Sequence, residues 1–435
     1  MSYLLPTHFS QFPSHNTSPV RSLSNVRLVG LDGFYKLQVK ADGCLGAIAA
    51  IEKDAPIPAG DTPGILDFEG DWLSLGGVDL QINGALGIAF PDLQVQHAES
   101  LHKICQFLWQ QGVNAFLPTL VTTSVAKIHA ALDAIAVVMA EQAEARSQTE
   151  VSPEAQILGS HLEGPFLNPE KRGAHPAEYL LSLSAGAMAQ LLAGWEHVVK
   201  LVTLAPELDE TGEAIAWLRS RGIAVSLGHS QSTASQAQAA FQQGATLVTH
   251  AFNAMPGIHH RQPGLLGVAI LDPRVYCGLI ADGQHVDPLV VELLLRASLR
   301  AFDRTESSLP SIFLVSDALA PLGLPDGRYP WDSREIDVKA GTARLLDGTL
   351  SGTTLSLLAG VTNLVQWGIC DPETAIALAT LTPRMALDCF DQTASDPQSE
   401  LSASDLRSRY LGQPLNTLLR WHWDGNSLHW QRVST

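Results

Sequence analysis

With 435 residues, 46% of them hydrophobic, the chain is long enough for one large domain and a smaller companion. Its formal net charge of −17 argues against nucleic acid or an anionic membrane as partner, and an anionic small molecule would need a local basic pocket. Five cysteines (Cys44, Cys105, Cys277, Cys370, Cys389) show no CxxC spacing and an odd total, which fits reduced thiols in a cytoplasmic protein.

The chain opens on MSYLLPTHFSQFPSHNTSPV, with neither a basic n-region nor a continuous apolar run, so it does not read as a signal peptide. Nowhere does an apolar run approach membrane-spanning length. Residues 1–24 are polar and rich in Pro and Ser, the pattern of a loosely held arm. Residues 25–72 form the first part of a small β domain: Val26–Glu52 is strand-like, with Asp32-Gly33 and Asp42-Gly43 as turns, and Ile65–Phe68 adds a short strand.

Residues 73–388 carry an α/β rhythm. Apolar strands are expected at Leu75–Leu80, Ala115–Thr119, Ile157–Ser160, Leu201–Leu204, Ile223–Leu227, Thr246–Thr249, Tyr276–Ile280 and Ile312–Val315. Helical patterns such as Ala98–Gln110, Val125–Ala140, Ser232–Gln243 and Pro288–Ala301 separate them. Eight strands alternating with helices predict an α/β fold, a (β/α)8 TIM-like barrel. In residues 389–435, Gln392–Arg409 is polar and reads as an exposed insertion. The segment LLRWHWDGNSLHWQRV then reads as a β-hairpin turning at Asp424-Gly425-Asn426, with Trp421, Trp423 and Trp430 as packing residues. That hairpin would complete a small β-sandwich domain built from both chain termini.

Chemistry concentrates where the expected strands end. IAVSLGHS and TLVTHAFNAM place His229 and His250 at the carboxyl ends of neighbouring parallel strands, the end at which such barrels bind ligands. GSHLEGP brings His161 and Glu163 to the same rim, and LVSDALAP brings Asp317. Taken singly, Glu163 could cap a helix and Asp317 could order a loop. Together, one carboxylate and two neutral imidazoles make a ligand set for zinc or a similar divalent cation, with room for water. Asp317, on another strand, is the candidate carboxylate for completing activation of that water.

These residues are similar to those of the amidohydrolase superfamily and, within it, the N-acetylglucosamine-6-phosphate deacetylase family. The resemblance rests on GGVDLQINGALGIAF, FLPTLVTT, GSHLEGPFLNPEKRGAH, LAPE, VSLGHS, VTHAFNAMPGIHHRQPGLLG, GLIADGQHVD, LVSDALAPLG and LSGTTLSLLAGVTNLV, in that order from about Leu75 to Leu387. It implies Glu163, His229 and His250 as ligands of one divalent metal per subunit, zinc foremost, with iron, manganese and cobalt also compatible. It implies Asp317 as general base and then general acid, and His175 as the group that polarises the acetyl carbonyl. Asn253, Ala254, Arg261 and His285 match positions that hold phosphate and sugar. The family further implies a homodimer in which Arg261 reaches the partner's site, and a place in amino-sugar recycling.

Many amidohydrolases carry His-x-His at the end of the first strand; here Gln81-Ile82-Asn83 stands there. Amides are poor ligands for a transition metal, which points to a mononuclear site and leaves Gln81 and Asn83 to orient substrate or water. The residues alone leave open the N-acetylgalactosamine epimer, an N-acyl amino acid, or a metal-binding scaffold without catalysis. Asp317 argues against the scaffold.

Overall fold

The structure, a computed structural model, describes residues 20–51, 64–148, 153–298, 309–391 and 402–434. The chain divides into two compact units: Gly77–Ser399, and Met1–Gly76 together with Glu400–Thr435.

The larger unit is built on eight parallel strands: β1 (Gly77–Ile82), β2 (Val113–Val121), β3 (Ser160–Glu163), β4 (Val199–Leu204), β5 (Ala224–Leu227), β6 (Leu247–Val248), β7 (Tyr276–Leu279) and β8 (Ile312–Leu314). Each pairs with its sequence neighbour, and Gln156–Ile157 adds a short extra strand on β2. Backbone hydrogen bonds beyond β8 close the ring: Asp317 N–H donates to Gln81 O at 2.8 Å and Asn83 N–H to Ala318 O at 2.8 Å. The barrel expected from the sequence is therefore present. The third expected strand is displaced: Ile157 lies on the short extra strand, and β3 starts only at Ser160.

Local sequence explains the helices. Ala98–Gln110 buries Leu101, Ile104, Cys105 and Leu108, an i, i+3, i+4, i+7 stripe against the barrel, and Gly112 (φ +82°) ends the run. Ala234–Gln242 opens on a reciprocal cap between Thr233 and Gln236.

Strand alternation sorts the barrel interior into layers. Leu201, Ala224, Leu247, Phe313 and Val315 pack in one apolar cluster with Ala386 and Leu387 of a late helix. One step nearer the carboxyl ends, on the same strand faces, stand Thr203, Ser226 and Thr249, all buried. Above these lies the cluster of ionisable groups.

One element was not among those expected. Gly327–Trp331, Arg334–Lys339, Thr342–Leu345 and Leu350–Thr353 form a four-stranded antiparallel sheet between β8 and the next helix. Its core is small (Leu319, Ile336, Val338, Ala343), so most of its outward residues are polar and blur the apolar rhythm.

Among the described residues of the smaller unit seven strands form one sheet in the order Leu428–Arg432, Leu418–Trp423, Trp72–Leu75, Ser22–Leu28, Phe34–Val39, Leu45–Ile51, with Ile65–Asp67 also on Ser22–Leu28. Both ends of the chain thus supply it, and the C-terminal hairpin forms as expected. Two expectations are corrected. The first strand starts at Ser22, inside the stretch read as an arm, because Leu23 is buried; residues 1–19 lie outside the described residues. Part of the stretch read as an exposed insertion is a helix, Ala403–Tyr410, capped by Ser402 and anchored by buried Leu406 and Tyr410; residues 392–401 lie outside the described residues. Only two apolar side chains one turn apart seal that helix, too faint a pattern against its polar background. Trp421 is fully buried and donates its indole N–H to Ser74 Oγ at 2.8 Å, a packing role.

Candidate metal centre

Three strand ends bring Glu163, His229 and His250 together, all buried. Glu163 Oε1 lies 3.0 Å from His229 Nε2 and 3.0 Å from His250 Nε2, and the two nitrogens are 3.1 Å apart. His229 Nδ1 is 2.9 Å from Lys171 O, which only accepts, so Nδ1 carries a proton and Nε2 is the nitrogen turned into the cluster. With Glu163 Oε1 and His250 Nε2 converging on it, that nitrogen can hold a proton or, in the proton's place, a cation. One oxygen and two imidazole nitrogens fit a divalent transition metal. Burial alone would raise the Glu163 carboxyl, but hydrogen bonds and charge from His229 and His250 hold it well below its ordinary range. His229 (φ +48°), His250 (φ +26°) and Asp317 (φ +47°) all lie in the left-handed region, strain of the kind that gathers at functional sites.

His161 shares the rim in sequence but not the cluster. Its Nδ1 lies 3.0 Å from Leu80 O and its Nε2 2.8 Å from Thr203 Oγ1, so both nitrogens are spent inside the barrel. Burial pushes it down to about 4; neutral, with Nδ1–H given to the carbonyl, it accepts from Thr203.

Asp317 faces the cluster from the other side. Its Oδ1 accepts from Asn83 Nδ2 at 2.7 Å and Gln81 Nε2 at 3.3 Å, and Gln81 Nε2 also lies 3.1 Å from Glu163 Oε1. Gln81 thus bridges the two carboxylates and Asn83 holds Asp317. Burial, then the nearby Glu163 charge, pushes Asp317 up to about 6.

His175 packs edge-on to His229, ring centroids 4.5 Å apart. Thr122 N–H donates to its Nδ1 at 3.3 Å, which leaves Nε2 as the protonated nitrogen of a neutral ring. Burial lowers it to about 3, so it stays neutral. Arg172 donates to His175 O at 2.7 Å and Arg334, on the inserted sheet, to Ala174 O at 2.7 Å, so two arginines fix this loop.

The remaining expected residues are less gathered. Asn253 bends its amide onto His250 O and Ala251 O, both at 3.2 Å, and Ala254 O accepts from Ser230 N–H. Arg261 is exposed on its loop, with its backbone N–H on His259 Nδ1 at 3.3 Å. His285 is held by a residue the sequence reading missed: its Nδ1 lies 2.7 Å from Asp282 Oδ2, while Asp282 Oδ1 accepts from Gln284 and His285 N–H. Asn363 ties down the preceding Ala281 O at 2.8 Å. The Asp282-Gly283 pair is a turn signal that could have marked this loop, though not the carboxylate's partner.

Asp79 was missed as well. It is buried and accepts Ser316 N–H at 3.2 Å and Gln81 N–H at 3.3 Å, tying β1 to the residue before Asp317. Burial raises its carboxyl from 3.8 to about 7. The folded chain therefore holds this proton more tightly than the unfolded chain, and stability falls as pH rises from about 4 to about 7. Asparagine at position 79 keeps the accepting oxygen and removes the titration. In denaturant titrations, Asp79→Asn gains about 3 kcal/mol on the parent between pH 5 and pH 8. A stability difference that does not change with pH would refute this.

No protein-family model matches the sequence. The N-acetylgalactosamine-6-phosphate deacetylase of Escherichia coli O157:H7 is 37% identical over 342 residues, 79% of this chain and 83% of the relative. The N-acetylglucosamine-6-phosphate deacetylase of Danio rerio is 36% identical over 335 residues, 74% of this chain and 77% of the relative. The crystal structure of N-acetylglucosamine-6-phosphate deacetylase from Pasteurella multocida superposes with a TM-score of 0.71 at 26% identity, covering 95% of this chain and 99% of that one. The barrel, its converging ligand atoms and this similarity agree: the chain belongs to the N-acetylglucosamine-6-phosphate deacetylase family of the amidohydrolase superfamily.

Proposed function

We propose that this chain hydrolyses the acetamide of N-acetyl-D-glucosamine 6-phosphate to D-glucosamine 6-phosphate and acetate. The observation that carries the reading is the buried Glu163/His229/His250 cluster facing the oriented carboxylate of Asp317. A divalent cation held by those three residues would supply Lewis acidity to water and to the amide carbonyl. Asp317 takes a proton from the water as its oxygen bonds to the carbonyl carbon, then delivers that proton to the nitrogen as the C–N bond breaks. His175 turns its Nε2–H towards the oxygen on which negative charge develops. We take the cation to be zinc, with iron, manganese or cobalt able to occupy the same donor set.

Arg261, Asn253, Ala254 and His285 are assigned to the phosphosugar, with Arg261 binding phosphate through its planar fork. Its exposure on a loop supports a homodimer in which it serves the partner's site. A cytoplasmic location is consistent with free Cys44, Cys105, Cys277 and Cys370. Among the described residues no helix is long and apolar enough to cross a membrane.

The name of the Escherichia coli relative favours a second reading, N-acetylgalactosamine 6-phosphate. Acetate release from both epimers and from unphosphorylated N-acetylglucosamine, with and without chelator, separates these. Chelator-sensitive release confined to phosphosugars is expected, and the epimer with the larger kcat/KM is the substrate. Arg261→Ala raises KM about 10- to 100-fold with kcat little changed, the loss of one charge-assisted contact. Equal turnover of the unphosphorylated sugar would remove the phosphate assignment.

A further inference from the structure

Directly beneath the cluster, buried side chains from neighbouring strands join in one hydrogen-bonded belt. Ser226 Oγ on β5 lies 2.6 Å from Thr249 Oγ1, just past β6. Thr249 Oγ1 lies 2.7 Å from Thr203 Oγ1 on β4, and Thr203 Oγ1 lies 2.8 Å from His161 Nε2 on β3. His161 Nδ1 ends the belt on Leu80 O of β1. Beside it, Thr119 Oγ1 on β2 receives Ile82 N–H at 3.1 Å.

The belt is adjacent in sequence to every member of the cluster. Glu163 stands two residues beyond His161, His229 three beyond Ser226, and His250 directly after Thr249. Because β5 lies between β4 and β6, the Thr203–Thr249 contact must pass over β5. Gly228 makes that passage possible. A Cβ there would sit 2.7 Å from Thr249 Cβ and 3.1 Å from Thr203 Cγ2, so the glycine is required by close approach. The next residue is His229, whose left-handed backbone persists only where its surroundings over-determine it.

We infer that this belt is the positioning device of the metal centre, and that the hydroxyls of Thr249 and Thr203 set the affinity for the cation. Apolar contacts alone would let strand ends slide by fractions of an ångström; directional bonds between hydroxyls hold them in register. The inference rests on the metal-dependent reading above and extends it to residues that touch neither cation nor substrate.

Zinc affinity, measured on the full chain by competition with a chromophoric chelator, tests it. Thr249→Val and Thr203→Val keep side-chain shape and remove the bonds; each weakens zinc binding about 10- to 100-fold. Thr249→Ser restores affinity to within about threefold of the parent, because it keeps the hydroxyl. Thr380→Val removes a buried hydroxyl bonded to its own helix at Ile376 O, far from the belt in sequence, and leaves zinc affinity unchanged whatever its effect on stability. With cobalt in place of zinc, the visible bands shift in Thr249→Val and not in Thr380→Val. Should the valine variants fold poorly, Ser226→Ala cuts only the end of the belt and weakens zinc binding about threefold to tenfold. Valine variants that hold zinc within about twofold of the parent, with an unchanged cobalt spectrum, overturn the inference and leave the metal reading standing. A parent protein that binds no zinc overturns both, and is told apart by the parent alone.

Discussion

Asparagine in place of Asp317 lowers kcat by about 100- to 10,000-fold, the range of a general acid–base group, with KM and metal content close to the parent's. The geometry dictates the split. Asp317 Oδ1 is held by the amides of Asn83 and Gln81, and an asparagine oxygen can accept both bonds in the same place. That orientation leaves an amide NH₂ where the second carboxylate oxygen stood, and an amide cannot take a proton from water. Fold and ligand cluster survive while the proton route is cut. The pH profile supplies an independent check. Asp317 works as a base only when ionised, so kcat/KM of the parent falls as pH drops through its pKa. Burial and the Glu163 charge push that value up to about 6 against the opposing His250 charge, and a bound divalent cation would lower it, so the acid limb lies at or below 6. The limb is absent from the residual activity of the variant. An Asp317→Asn protein with parental kcat would sink the mechanism.

Why Asp317, Glu163, His229 and His250 were legible from sequence, while Asp79, Asp282 and the hydroxyl belt were not, follows from how each is specified. His229, His250 and Asp317 follow short, mainly apolar runs in a parallel α/β rhythm, and Glu163 follows one interrupted by Gly159, Ser160 and His161; that architecture places strand ends on one rim. No knowledge of which side chains touch is needed. Asp79 and Thr203 sit inside such runs, where a polar residue reads as a defect until the partner strand is known. Ser316 N–H, the partner of Asp79, lies more than two hundred residues away and becomes a partner only when the barrel closes. His161 shows the converse. Sequence places it at the rim beside Glu163, yet it feeds both nitrogens into the barrel, a choice set by Leu80 O and Thr203. Gly228 in VSLGHS joins the two levels: the motif is visible in sequence, but its steric reason is two threonines on the strands either side. The inserted sheet stayed hidden for another reason. Turn signals such as Asp347-Gly348 were present, but its few buried residues give little apolar alternation to read.

Glutamine in place of Glu163 removes cation binding while leaving the metal-free fold intact, and the two effects can be measured separately. In the parent, zinc at about 1,000 times its dissociation constant stabilises the folded chain by about 4 kcal/mol, read as a rise in Tm. In Glu163→Gln the same zinc concentration gives no rise, and metal analysis after gel filtration shows little bound metal, because a neutral amide is a poor ligand and one of three donors is gone. Without metal the substitution acts on the fold alone. Glu163 Oε1 meets His229 Nε2, His250 Nε2 and Gln81 Nε2 at 3.0, 3.0 and 3.1 Å, contacts that hold its carboxyl well below the ordinary range, and a glutamine oxygen keeps the acceptor without the charge. The metal-free variant is therefore less stable than the metal-free parent near neutral pH, and the deficit narrows as pH falls through the range in which Glu163 takes up its proton. A variant that still binds one zinc with the parental rise in Tm would assign the oxygen donor to another residue, and Asp317 is the carboxylate placed to take that role.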